Sequence, residues 1–149
     1  MKFNRKILPD SNYSSKFISK KRLHEDEIDF DLLRSYRLDR VKKELAKRDI
    51  GACILFDPVN VRYALDTTNM SIYNMHNLTR YCFIPVSGPV ILYEYFNCGH
   101  LAKHLTLIDE IRQGITWDYF SVGDQVENQL KKWTGEVENL MNLDRKSVV

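Results

Sequence analysis

Ala52–Leu65 runs ACILFDPVNVRYAL: five apolar residues in a row, then an aspartate-proline step, then a second, gapped apolar pattern. The first five have strand length and strand chemistry, and Pro58 removes a donor from any ladder that tries to continue. An aspartate directly before a proline suits a turn, because its side chain readily bonds backbone amides just ahead of it. Val59 to Leu65 then fits a short helix or turn. Upstream, Asp31 to Asp49 repeats Leu33, Tyr36, Val41 and Leu45 at mixed threes and fours, with Leu32 and Leu38 beside them. Arg34, Arg37, Arg40, Lys43, Glu44 and Lys47 fill the other side. That spacing predicts an amphipathic helix, with Asp29 or Asp31 placed to cap its start. Gly51 lets the chain turn into the strand. A helix, a tight turn and a buried strand open an α/β domain.

Downstream, DTTNMSIYNMHNLTR (Asp66–Arg80) has no convincing period and is read as a loop. A loop of this length in a small domain usually carries function or lacks order. RYCFIPV and PVILYEY follow, separated by Ser87-Gly88, and form the strongest hairpin signal in the chain. Pro89 places the second strand at an edge or marks its entrance. NCGHLAKHLTLI reads as a helix and GITWDYF as a further short strand. From Gly123 to about Met141, Val126, Leu130, Trp133, Val137, Leu140 and Met141 return to helical spacing. KSVV at the end resembles a strand just beginning, so the chain is expected to be a fragment.

The 149 residues amount to one domain, and with 44% apolar and 28% charged residues that domain can bury a core. No apolar run approaches the ~20 residues that cross a bilayer, and the N-terminus lacks the apolar stretch of a secretory signal. A cytoplasmic location is therefore expected, with no membrane partner. A net charge of +2 is too mild for a phosphate-binding surface, so no nucleic-acid partner is expected. Residues 1–30 form a separate arm: seven Lys or Arg against Asp10 in the first 22, then the acidic run HEDEIDFD. With few apolar residues it has little to bury and reads as a solvated tail or strap. Cys53, Cys82 and Cys98 form no CxxC pair and are read as free thiols.

The chemistry-bearing residues are weighed one group at a time. His100 and His104 share a helical face near Cys98, but no glutamate completes an HExxH pattern, and no metal site is assigned. Asp57, Asp66, Glu94, Asp109, Glu110 and Asp118 are carboxylates near strand ends. Capping and solvated loops explain them better than a paired metal site. The aromatic groups Tyr93, Tyr95, Phe96 and Trp117, Tyr119, Phe120 read as core and cover rather than base-stacking platforms. The loop stands apart. Asp66, Asn69, His76 and Asn77 offer polar contacts, Tyr73 and Met75 offer apolar ones, and Arg80 offers a fixed positive charge. That mixture suits the wall of a pocket for a small polar or charged substrate.

Asp57-Pro58-Val59-Asn60-Val61-Arg62-Tyr63 resembles the "DPxNIRYL" turn in the N-terminal domain of the creatinase/prolidase/aminopeptidase P family of pita-bread metalloenzymes. The order of elements agrees from about Leu32 to Val149. After Tyr63 the sequence departs from the family's usual Leu-Thr-Gly-Phe type continuation, and Ala64–Met70 with Tyr73–Asn77 is similar to the branch that includes the bacterial dimethylsulfoniopropionate lyases. The resemblance implies a mixed β-sheet flanked by helices, of ribonuclease H-like arrangement, over residues 31–149. It implies the non-catalytic lobe of a longer two-domain hydrolase or lyase, covering the substrate pocket and contributing to a homodimer. The catalytic residues and a divalent metal pair would then lie in a C-terminal domain beyond this chain. Asp57, Pro58, Asn60, Arg62 and Tyr63 take the structural part. A free-standing module for a small ligand or partner is the alternative.

Overall fold

The structure, a computed structural model, describes residues 28–70, 78–116 and 122–146. Residues 1–27 of the arm, the loop centre 71–77, Trp117–Ser121 and the terminal strand expected at KSVV, save Lys146, fall outside these, and Phe30 at the arm's end belongs to the first helix. The chain divides into two units between Leu33 and Arg34, and everything that bears on the site belongs to the second.

The first helix, α1 (Phe30–Lys47), begins where Asp29 Oδ1 accepts the Leu32 amide at 2.9 Å, so Asp29 rather than Asp31 caps it. Its buried stripe is Leu38, flanked by Val41. Leu32 and Tyr36, expected inside, are exposed, and Tyr36 lies under the Arg40 guanidinium at 5.8 Å. Asp49 takes a left-handed conformation after the helix and the chain enters β1 (Ala52–Leu55). Helix α2 (Pro58–Leu65) follows with Asp57 as its cap: Asp57 Oδ1 accepts the Asn60 amide at 2.8 Å.

The hairpin forms as read. β2 (Tyr81–Pro85) pairs antiparallel with β3 (Ile91–Glu94) around a turn in which Gly88 has φ 111°. A positive φ of this kind is open to glycine at little cost. Pro89 stands at the entrance to β3, which is an inner strand. β1 pairs antiparallel with the far side of β2, and β4 (Glu110–Gln113) pairs parallel with β3. The described residues thus form a four-stranded mixed sheet in the order β1-β2-β3-β4, flanked by helices.

Alternation divides the strands between two cores. Cys82, Ile84 and Leu92 face α2 and α1, burying Val61, Ala64, Leu65 and Leu38. Tyr81, Phe83, Ile91 and Tyr93 face α3 (Val126–Lys146), which lays Leu140 and Trp133 on them. Tyr81 stacks on Tyr93 with centroids 4.4 Å apart and meets Trp133 edge-on at 5.1 Å. All three cysteines are free, and burial pushes the Cys82 thiol up to about 12.

Two expected elements differ. NCGHLAKHLTLI contains only one 3₁₀ turn, Gly99–Leu101, followed by further turns. The Leu101, Ala102, Leu105 and Ile108 amides each bond the carbonyl three residues back, so Ala102 and Leu105 reach the core without an α-helix. Among the described residues the last strand is β4 at Glu110–Gln113, in a stretch whose polar character conceals it; of the strand expected at GITWDYF, Gly114–Thr116 form none and the rest lies outside the described residues.

Candidate functional site

The parallel strands β3 and β4 end side by side at Glu94 and Gln113, and β2 begins at the same end of the sheet. In α/β folds the space beyond the carboxyl ends of parallel strands is where ligands are received. Here the stretches 66–70, 78–80, 95–99 and 114–116 meet. Asp57 and Pro58 start α2, and Asp66 ends it with φ 57°, its amide bonding Arg62 O at 2.9 Å. The left-handed step at Asp66 turns the chain toward the sheet end.

Glu94 is the centre of this region. Its Oε2 accepts Arg80 Nε at 2.8 Å, and its Oε1 accepts Asn69 Nδ2 at 2.9 Å and the Tyr95 amide at 3.0 Å. Arg80 also donates from Nη2 to Thr67 Oγ1 at 2.9 Å. Arg80 is 3% exposed and Glu94 1%, so the pair is fully enclosed. A buried charge is tolerated only when paired and hydrogen-bonded, and this one meets both conditions. One carboxylate therefore holds both arms of the excursion, Thr67–Asn69 on one side and Arg80 on the other.

Gly114 closes the region from β4. Its amide bonds Glu94 O at 2.8 Å, and a Cβ at this position would lie 2.1 Å from Thr79 O. Only glycine permits the backbones to come so close. Beside this cluster opens a cavity of about 270 Å³, lined among others by Glu94, Tyr95, Phe96, Asn97, Arg112 and Gln113. Phe96 is exposed, and Asn97 holds a left-handed φ of 60°.

The seven residues expected on the pocket wall divide into three groups. Asn69 and Arg80 come together on Glu94. Asp66 is drawn to α1, its Oδ2 accepting Arg34 Nε at 2.9 Å. Tyr73, Met75, His76 and Asn77 fall outside the described residues. Of the turn motif, Asp57 caps α2 and Pro58 occupies its first turn. Asn60, Arg62 and Tyr63 lie on the exposed side of α2, where Arg37 stands over the Tyr63 ring at 5.6 Å. Tyr63 borders a separate apolar groove of about 460 Å³ with Val41, Leu45, Cys53 and Leu55.

Glu94 and Thr67 were not singled out from sequence, although a signal existed. The hairpin register pairs Tyr81 with Tyr93, which sets Arg80 opposite Glu94 one step further on. A charge of each sign at the ends of two apolar strands is the mark of a cross-strand ion pair. Among the other carboxylates near strand ends, Asp109 Oδ2 accepts the Val90 amide at 2.7 Å and Glu110 pairs with Arg112, while Asp118 lies outside the described residues. His100 Nδ1 donates to Asn97 O at 2.8 Å. Among the described residues no three His, Cys, Asp or Glu side chains gather to hold a metal ion. Nor is any described helix long and apolar enough to cross a membrane.

No family model matches the chain. Over 113 residues, 76% of its length, it is 34% identical to the dimethylsulfoniopropionate lyase DddP of Roseovarius nubinhibens. Over a stretch of the same length it is 32% identical to the dimethylsulfoniopropionate lyase DddP of Roseobacter denitrificans. The match takes in 25% of each of those proteins, so the chain spans about a quarter of the length of the curated relatives it matches.

Proposed function

We propose that this chain is an accessory lobe of a dimethylsulfoniopropionate lyase-like enzyme, and that its sheet end covers a substrate pocket whose chemistry is carried by residues outside the chain. Between the hydrolase and lyase chemistries that the sequence left open, the two relatives favour the lyase. The role of a cover is supported by one observation: the Glu94 carboxylate gathers both arms of the excursion at the carboxyl ends of β3 and β4.

The substrate named by the relatives has a sulfonium cation at one end and a carboxylate at the other. Tyr73 and Met75 are suited to the cationic end, since an aromatic face and a polarisable sulfur attract a cation in a site closed to water. His76 and Asn77 can donate to the carboxylate. Arg80, committed to Glu94 and Thr67, serves the arms instead of the substrate. Excluding water strengthens every such contact during the reaction. We further propose that the enzyme is a homodimer and that a divalent metal pair in the remainder of the enzyme supplies the electrophile.

The test is release of dimethyl sulfide by the protein at its natural length, beside Tyr73→Ala and His76→Ala. Release by the unaltered protein, with KM raised roughly tenfold in each variant, is expected for the loss of one good contact. Absence of release, or variants with unchanged KM, would remove this reading.

A further inference from the structure

The two arms of the excursion have few apolar anchors. Met70 is 60% exposed and Leu78 50% exposed, so burial of these side chains does not hold the chain ends in place. What lies inside is polar: Thr67, Thr79, Arg80 and Glu94. Arg80 spans the gap, bonding Glu94 on β3 through Nε and Thr67 on the opposite arm through Nη2. Glu94 reaches the same arm through Asn69. Each arm is thus tied to the sheet and to the other arm through one ion pair.

We infer that Glu94 and Arg80 form a clasp, in which Glu94 is a positioning residue that fixes where Thr67–Met70 and Leu78–Arg80 leave the sheet. The inference rests on the covering role proposed above for its link to substrate, while the clasp itself rests on the geometry alone. Neither residue touches substrate. A carboxylate is required because both of its oxygens accept, from Arg80 on one side and from Asn69 and Tyr95 on the other. A glutamine turns an NH₂ group toward one of those donors and opens the clasp on that side. Lysine at position 80 keeps the charge but loses the fork that serves Glu94 and Thr67 together.

Hydrogen exchange on the natural-length protein tests this with Glu94→Gln and the near-isosteric Thr67→Val, which removes the hydroxyl that accepts from Arg80. Both variants are expected to speed exchange of the Thr67–Met70 and Leu78–Arg80 amides roughly tenfold while α1, β1 and α3 stay as they are. KM for dimethylsulfoniopropionate should rise several-fold with kcat nearly constant, and Glu94→Asp should recover part of both effects. Should Glu94→Gln fail to fold, Thr67→Val decides alone. Unchanged arm amides, or acceleration spread evenly through the sheet and helices, would overturn the clasp. Faster arm amides with an unmoved KM would leave the clasp standing and overturn the covering role.

Discussion

Tyr93 and Glu94 are neighbours on β3, yet they point to opposite faces and belong to two arginine clusters of different character. Glu94 takes Arg80 inside the protein, where no water can replace either partner. Tyr93 belongs to a cluster at the edge of the sheet, donating its hydroxyl to Glu136 of α3. Arg112 of β4 donates to the same Glu136 oxygen at 2.5 Å and grips Glu110 with two bonds of 2.6 and 2.7 Å. With Arg112 Nη1 also donating to the Tyr93 hydroxyl at 3.3 Å, the second cluster makes more polar bonds than the first, but Arg112 and Glu110 remain open to solvent. Bond counts therefore rank the two wrongly. Enclosure makes the loss of one partner severe in the first cluster, and water softens it in the second.

The largest effect expected is at Glu94. Glu94→Ala leaves a buried guanidinium without its partner, at a cost of about 3–5 kcal/mol in urea unfolding. Glu110→Ala, in the open cluster, is expected to cost less than about 1 kcal/mol. Equal losses would break the comparison. Next comes the attachment of α3. Leu140 is buried against the tyrosine layer, so Leu140→Ala is expected to cost about 3 kcal/mol, more than any single polar bond to Glu136. If Glu136→Ala proved the costlier of the two, the open cluster and not apolar packing would hold the helix. Gly114→Ala follows at about 1–3 kcal/mol, because its Cβ must displace the Thr79 carbonyl.

The same contrast explains how much of the molecule was legible. Apolar patterning located β1 and the hairpin, which bury their apolar runs, and placed α1 and α3 approximately, although α1 buries only Leu38 of its expected stripe; it left Val59–Leu65 open between a short helix and a turn. It lost β4, where Glu110, Arg112 and Gln113 leave only Ile111 to pack against the main core. It also mistook the Cys98–Ile108 turns for a helix, since repeated three-residue hydrogen bonds bury Ala102 and Leu105 at a helix-like interval. In the candidate site, Asn69 and Arg80 were chosen for their polarity, and both take part in the cluster. Their common partner Glu94 was passed over as one carboxylate among several. Its importance comes from the register set by the Ser87-Gly88 turn, which a single strand's composition does not reveal.

The smallest effect concerns protons in the open cluster. Burial works against ionisation of Glu136, but hydrogen bonds from Tyr93 and Arg112 and the guanidinium charge outweigh it and hold its carboxyl below the usual range. Arg112 does the same for Glu110, chiefly through its hydrogen bonds. Arg112 is pushed upward mainly by its bond to Glu110, and Tyr93 mainly by burial, so neither titrates in acid. In the window between the depressed value and the ordinary one, the unfolded chain binds more protons than the folded one. The stabilisation is therefore complete above the ordinary carboxylate value and is lost as pH falls through the folded one. Glu136→Gln should be less stable than the unaltered protein by about 1 kcal/mol at pH 7, and this gap should close as the pH falls through the depressed carboxyl value of Glu136. Urea midpoints across that range measure it. A gap that stays constant with pH would mean that Tyr93 and Arg112 hold the shape of the side chain and not its charge, and the two clusters would then differ in burial alone.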